Sequence, residues 1–388
     1  AAIAAHDGEI VAVGPDADLR AAYVAATTID AGGCLVTPGL VDPHTHLIWA
    51  GARAHEFEQR IAGATYQEIM AAGGGINRTV LDTRAADLTT LVEQSKLRLD
   101  TMLAHGTTTA EVKSGYGLDT ATEITMLNAI ALLDTEHPVD LVATFLGAHA
   151  VPPEYADDPD AYVDLVITEM LPAVAEWQAE HWPGVLFCDV FCEVGAFDLD
   201  QTRRILEAAR EYGLELKVHA DEFEALGGTR LAAELGAASV DHVVATTPDD
   251  IAALAASDTV AVSLPPTPFG LAHTDYTPAQ AFLDAGAALA IATDCNPGTG
   301  WNESMQFVMA LATRYLRLTP AQALAAATIN AACAIRQEDR VGSLEMGKQA
   351  DLVLWQVPSY PFLSYRFASN LVQTVIKRGQ VVYRSNHQ

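Results

Sequence analysis

His44 and His46 are separated by one residue in the run Gly39-Leu40-Val41-Asp42-Pro43-His44-Thr45-His46. On a β-strand successive side chains point to opposite faces, so the two imidazoles emerge on one side and can grip a single metal ion. Further along, chemically capable residues recur at the trailing ends of apolar runs: Lys113 and Tyr116, His149, His219 and Glu222, His242, then Asp294 and Asn296. Imidazoles joined by a carboxylate suit Zn²⁺ or Fe²⁺, whereas Mg²⁺ and Ca²⁺ want oxygen ligands. Three His and one Asp, with room left for water, describe a catalytic centre. A bound cation of this kind lowers the pKa of water towards neutrality and polarises a carbonyl oxygen, which is the chemistry of hydrolysis.

Eight strand-like runs must position these groups: Leu40 to His46, Thr107 to Val112, Val139 to Leu146, Val185 to Val194, Leu214 to His219, Ser239 to Val244, Thr259 to Leu264 and Ala288 to Thr293. They alternate with helical segments, the pattern of βα units, and are nearly continuous in apolar residues, as strands covered on both faces should be. Eight such units close a (β/α)8 TIM barrel, whose active face lies at the strand C-termini. An open doubly wound sheet is the rival. Asp200 to Tyr212 reads as an amphipathic helix stopped by Gly213, and Leu318 to Ile335 as a buried helix. Thr277-Pro278-Ala279-Gln280 and Thr319-Pro320-Ala321-Gln322 each read as an N-cap, Pro at N1 and a capping-box Gln. Short strands near both termini, with turns such as Asp7-Gly8, predict a small composite β-sandwich. The expected division is therefore 1–36 and 345–388 for the sandwich and 37–344 for the barrel.

The chain has 388 residues, a hydrophobic fraction of 50% and only 19% charged residues, which suits a large core and excludes a disordered chain. Fifty acidic against 22 basic residues give a net charge of −28. No Lys/Arg cluster could track a phosphate backbone, so nucleic acid is excluded as a partner. No run reads as a membrane span, and no secretory segment opens the chain. Five cysteines, an odd number without Cys-x-x-Cys spacing, fit a reduced cytoplasm; Cys188 and Cys192 read as small core residues.

Several motifs together resemble the amidohydrolase superfamily and, within it, the imidazolonepropionase family. They are Pro38 to His46, Gly51-Ala52-Arg53, Lys113-Ser114-Gly115-Tyr116-Gly117, Gly147-Ala148-His149-Ala150-Val151-Pro152, Val218-His219-Ala220-Asp221-Glu222, Val240-Asp241-His242 and Thr293-Asp294-Cys295-Asn296-Pro297-Gly298-Thr299. The resemblance runs essentially end to end. It implies a barrel with a composite β-sandwich and one transition metal ion, Zn or Fe, held by His44, His46, His219 and Asp294. Val185 to Val194 lacks the lysine that bridges two metals in many superfamily members, which favours a single ion.

The same resemblance implies Glu222, His242 and Asp294 as catalytic residues. It implies Arg53, Tyr116, His149, Glu222, Asn296, Gly298 and Thr299 as substrate contacts. The implied reaction is hydrolysis of the cyclic amide of 4-imidazolone-5-propanoate in histidine degradation, with a homodimer as the assembly. An anionic tail needs a local cation in so acidic a protein, and the Arg53 guanidinium can hold a carboxylate with two hydrogen bonds. Lys113 and Lys217 are read as barrel structure. Gly73-Gly74-Gly75 lacks a P-loop lysine and is read as a flexible loop near the site. The competing chemistry is a deaminase of a guanine- or cytosine-like cyclic amidine, which would have no carboxylate for Arg53 to clamp; a non-catalytic metal-binding barrel is the other class.

Overall fold

The computed structural model describes residues 1–64, 68 and 73–385. Strands β1 (Ala2–His6) and β2 (Glu9–Gly14) form an antiparallel hairpin. Its turn places Asp7 and Gly8 both at positive φ, 50° and 86°, which is why an Asp-Gly pair sits there. β3 (Leu35–Pro38) pairs antiparallel with a strand more than 300 residues away, β12 (Leu352–Trp355), which pairs in turn with β13 (Val372–Lys377) and β13 with β14 (Gln380–Arg384). The hairpin joins this assembly through hydrogen bonds between residues 8–10 and 347–350. Ile3 and Val36 pack with Leu352, Leu354 and Ile376. Both ends of the chain thus build one satellite unit.

Between them run eight parallel strands: β4 (Leu40–Asp42), β5 (Thr107–Lys113), β6 (Asp140–Ala148), β7 (Leu186–Cys192), β8 (Glu215–Ala220), β9 (Ser239–His242), β10 (Val260–Ser263) and β11 (Leu289–Ile291). They are ordered consecutively from β4 to β11. All eight expected runs hold a strand. The rival open sheet is excluded because the first and last strands meet just past their ends: Asp294 N donates to His44 O at 3.1 Å and His46 N to Cys295 O at 3.0 Å. The two rungs close the cylinder.

Alternation along the strands separates two environments. Ala110 and Val112, Cys188 and Val190, Val218 and Val240 join the apolar cluster beneath the surrounding helices. Their neighbours Glu111 and Lys113, Asp189, Lys217 and His219, Ser239 and Asp241 are bonded to one another across the barrel interior. Phe187 lies below this polar layer, 5.7 Å from the Lys217 ammonium.

Three local expectations need correction. β4 ends at Asp42, so His44 and His46 follow the strand and do not lie within it; the extended geometry persists because Thr45 bridges to Cys295. Thr319 and Gln322 form the expected capping box, but Thr277 caps nothing. Its hydroxyl donates to the His242 carbonyl at 2.9 Å, and a buried hydroxyl bonds to whatever acceptor the tertiary structure supplies. Leu318 to Ile335 is not one helix but two, Pro320–Ala326 and Ile329–Ala334, broken where Thr328 leaves helical geometry at φ −132° and ψ −95°. The helix expected from Asp200 is Leu199–Glu211, capped by Asp198 and Gln201. Cys188 and Cys192 are buried free thiols. No described helix is long and apolar enough to cross a membrane.

Candidate metal centre

The C-terminal ends of the strands bring four sequence-distant groups together. His44 and His46 leave β4, His219 lies near the end of β8, and Asp294 follows β11. All four are buried. His46 Nε2 lies 3.3 Å from His44 Nε2 and 3.3 Å from His219 Nε2. Asp294 Oδ1 stands 3.6 Å from His44 Nε2 and 3.5 Å from His46 Nε2. His242 joins the edge of the cluster, its ligand atom within 4.8 Å of those of His44 and His219.

Two of the imidazoles meet a carboxylate on their other side. His44 Nδ1 donates to Asp241 Oδ2 at 2.7 Å, which leaves Nε2 a bare lone pair. His219 Nδ1 lies 2.9 Å from Asp189 Oδ2, bent away from a linear hydrogen bond. Burial would raise the Asp189 carboxyl, but His219 and the Lys113 ammonium outweigh it and hold it well below the usual range. Burial, then the charge of Lys113, pushes the His44 imidazole well down; burial, then His149, does the same for His46. Three imidazole nitrogens turned to one point at this spacing crowd one another unless a cation sits between them. Tetrahedral ligands about 2.1 Å from a zinc-like ion are separated by roughly 3.4 Å, close to the spacing here. The donor set therefore fits one transition metal ion.

Around this cluster the backbone is strained. His242 has φ 79°, Asp294 49° and Asp221 52°, left-handed values uncommon for non-glycine residues and concentrated at functional sites. Asp294 Oδ2 accepts from Thr267 Oγ1 at 2.5 Å, yet burial still pushes its carboxyl up to about 6. Glu222 Oε2 lies 3.6 Å from His242 Nε2. Burial, with Asp294 and Glu193 nearby, raises the Glu222 carboxyl well above its ordinary value. Burial and then His219 push His242 well down, so burial favours the uncharged form of both partners.

The remaining expected contacts line the same mouth. His149 stacks on His46 at 4.8 Å and donates Nδ1–H to the Gly115 carbonyl, leaving Nε2 as an acceptor. Tyr116 lies 5.8 Å from His46 and 5.2 Å from His149, ring to ring. Arg53 Nε donates to Glu56 Oε2 at 2.8 Å, and Glu56 accepts from Gly75 N, so the glycine run adjoins the arginine. A Cβ at Gly298 would meet Arg53 Nη1 at 2.4 Å, so only glycine lets the guanidinium lie there. Asn296 uses its amide within its own loop, accepting from Gly298 N and Thr299 N and donating to the Asp294 carbonyl.

Comparison with known proteins decides the family. The amidohydrolase family model matches residues 35–382. The chain belongs to the amidohydrolase family. An imidazolonepropionase of Herpetosiphon aurantiacus is 59% identical over 387 residues, covering 99% of this amidohydrolase and 90% of that protein. One from Chloroflexus aggregans is 53% identical over 385 residues, covering 98% and 90%. Among solved structures, a 5-methylcytosine deaminase from Klebsiella pneumoniae superposes with a TM-score of 0.79 at 18% identity, over 100% of this chain and 94% of that one. A zinc-bound adenosine deaminase from Xanthomonas campestris gives 0.71 at 21%, over 98% and 87%. At such identities the shared property is the fold.

Several residues of this amidohydrolase site were not singled out from sequence. Asp189 and Asp241 orient two imidazoles, Thr267 holds Asp294, and Glu193 accepts from the backbone N–H groups of Glu222 and Phe223. Glu123 accepts from the N–H groups of Gly115, Gly117 and Leu118 and so shapes the turn that carries Tyr116. Asp189 had a signal: a carboxylate in the middle of an apolar strand must have a partner.

Proposed function

We propose that this amidohydrolase is an imidazolonepropionase, opening the ring of 4-imidazolone-5-propanoate by hydrolysis to give N-formimidoyl-L-glutamate. The observation that carries the reading is 59% identity across 99% of the chain to a protein of that name. The site chemistry agrees. His44, His46, His219 and Asp294 would hold one ion, Zn or Fe. When bound, it lowers the pKa of water and polarises the ring carbonyl.

Water adds across the amide: an oxygen–carbon bond forms, the carbon–nitrogen bond breaks, and the nitrogen must gain a proton. We assign Glu222 to carry that proton, and the reading is supported by burial, which raises its carboxyl well above its ordinary value. His242, neutral and 3.6 Å from Glu222, offers an N–H to the oxygen that becomes negative. Asp294 acts as ligand, because a cation beside it would pull its pKa down from about 6 and keep it ionised, and its carboxylate is the second group able to take a proton from water. Arg53 holds the propionate tail, with Glu56 fixing the orientation of the guanidinium. Tyr116 and His149 pack on the ring, while Asn296, Gly298 and Thr299 form the loop against the tail. The deaminase alternative has less support, since Arg53 would face a neutral base.

The test is incubation with imidazolone propionate, following the loss of its ultraviolet absorbance, alongside elemental analysis of the protein. Loss of absorbance with about one Zn or Fe per chain is expected. No loss in metal-loaded protein, with ammonia released from guanine or cytosine, would overturn the assignment. We also propose a cytoplasmic homodimer, to be checked by light scattering.

A further inference from the structure

Directly beneath the imidazoles lies a layer of charged side chains of which only the two aspartates have a role so far. Glu111, Lys113, Asp189, Lys217 and Asp241 are all fully buried. Lys113 donates to Glu111 Oε1 at 2.7 Å and to Asp189 Oδ2 at 2.8 Å, with Asp241 Oδ2 3.8 Å away. Lys217 donates to Ser239 Oγ at 2.6 Å and to the Pro43 carbonyl at 3.3 Å, and lies 3.3 Å from Asp241 Oδ2. Ser239 donates onward to Asp241 Oδ1 at 2.6 Å.

Removing five charges from water is costly, and well-packed apolar side chains often stabilise a core as well or better. Barrel interiors are ordinarily filled that way. Stability alone therefore does not account for the layer. Its geometry suggests another role, because two of the three carboxylates, both held by an ammonium, turn an oxygen towards an imidazole: Asp241 Oδ2 to His44 and Asp189 Oδ2 to His219, while Glu111 accepts from the Thr45 N–H between the two ligand histidines. A carboxylate fixed behind Nδ1 sets both the tilt of the ring and which nitrogen stays bare. Lys217 adds a second hold on His44 by binding the carbonyl of the residue before it.

We propose that Lys113 and Lys217 are positioning residues for the metal centre: Lys113 acts through Asp189 on His219, and Lys217 acts through Asp241 and Pro43 on His44. The inference rests on the metal-site reading above. It refines the reading of both lysines as barrel structure, since the ammoniums anchor the groups that aim two of the ligands.

The test uses metal-free full-length protein titrated with Co²⁺. The dissociation constant is measured by chelator competition, the visible Co²⁺ absorption is recorded, and folding is followed by circular dichroism. Two variants are compared with wild type. Lys113→Met is combined with Glu111→Gln, so that one positive and one negative charge leave together, and Lys217→Met is made alone. Each folded variant is expected to bind Co²⁺ roughly 10- to 100-fold more weakly, with a shifted visible spectrum. A folded variant with wild-type affinity and spectrum overturns the proposal for that lysine. Failure of both variants to fold overturns it too, because the lysines then serve the barrel alone. Wild-type protein that takes up no Co²⁺ refutes the metal-site reading itself.

Discussion

Gly298→Ala tests the carboxylate clamp without touching a metal ligand. Gly298 does not have a positive φ, so the backbone accepts alanine. The added Cβ would lie 2.4 Å from Arg53 Nη1 and 3.0 Å from its Cζ. Ordinary contact between such atoms is about 3.5 Å, so the guanidinium must withdraw by roughly 1 Å. That displacement breaks at least one charge-assisted hydrogen bond to the substrate tail, worth about 1.5–3 kcal/mol. At about 1.4 kcal/mol per factor of ten, KM should rise between roughly tenfold and 150-fold. The tail is bound in ground and transition states alike, so kcat should change little. Steady-state kinetics of Gly298→Ala, Arg53→Ala and the double variant form a cycle. Arg53→Ala should raise KM at least as much, and alanine at 298 should add almost nothing once the guanidinium is gone. An unchanged KM in Gly298→Ala, or full additivity in the double variant, would refute the reasoning.

Three further outcomes are expected. His219→Ala should lose both metal and turnover; a variant that keeps one metal per chain by elemental analysis and full activity removes His219 from the ligand set. Glu222→Gln should keep its metal while kcat falls by roughly a hundredfold or more, and a near-wild-type kcat would take the proton-transfer role away from it. His149 is pushed down to about 3, chiefly by burial and then by His219, although one edge of the residue reaches solvent and softens the effect. A histidine with a depressed native pKa binds fewer protons folded than unfolded, so its contribution to stability is complete above about pH 6.5 and shrinks as the pH falls towards 3. Urea unfolding of the metal-free protein at pH 7 and pH 5 should therefore show a larger acid loss in wild type than in His149→Gln, and equal losses would contradict the assignment.

The sequence could be read furthest where a local rule and the tertiary structure agree. Asp7-Gly8 is a turn in any context, and the eight apolar runs are strands because both of their faces are covered. The strand ends marked a wider set of capable residues, the family resemblance implied His44, His46, His219 and Asp294 among them, and the folded chain brings the four together. Reading failed where partners come from far away. Thr277 has every local mark of a helix cap, yet its hydroxyl is taken by the His242 carbonyl, 35 residues earlier. Nothing near Asp241 in sequence reveals that it faces His44, 197 residues distant. The break at Thr328 falls within an alanine-rich stretch that propensity alone would run through.

The wall of the cylinder is sealed by the same residues that would carry the ion, since His44 and Asp294 are both donor-set members and neighbours across the last seam. Contacts so distant along the chain carry a large loop-closure entropy cost. A nascent or truncated chain ending before residue 294 would present imidazoles but neither the carboxylate nor the completed ring that aligns them. Metal capture would thus act as a late checkpoint on assembly, and a tightly held ion would report that the first and last strands of the barrel had already met.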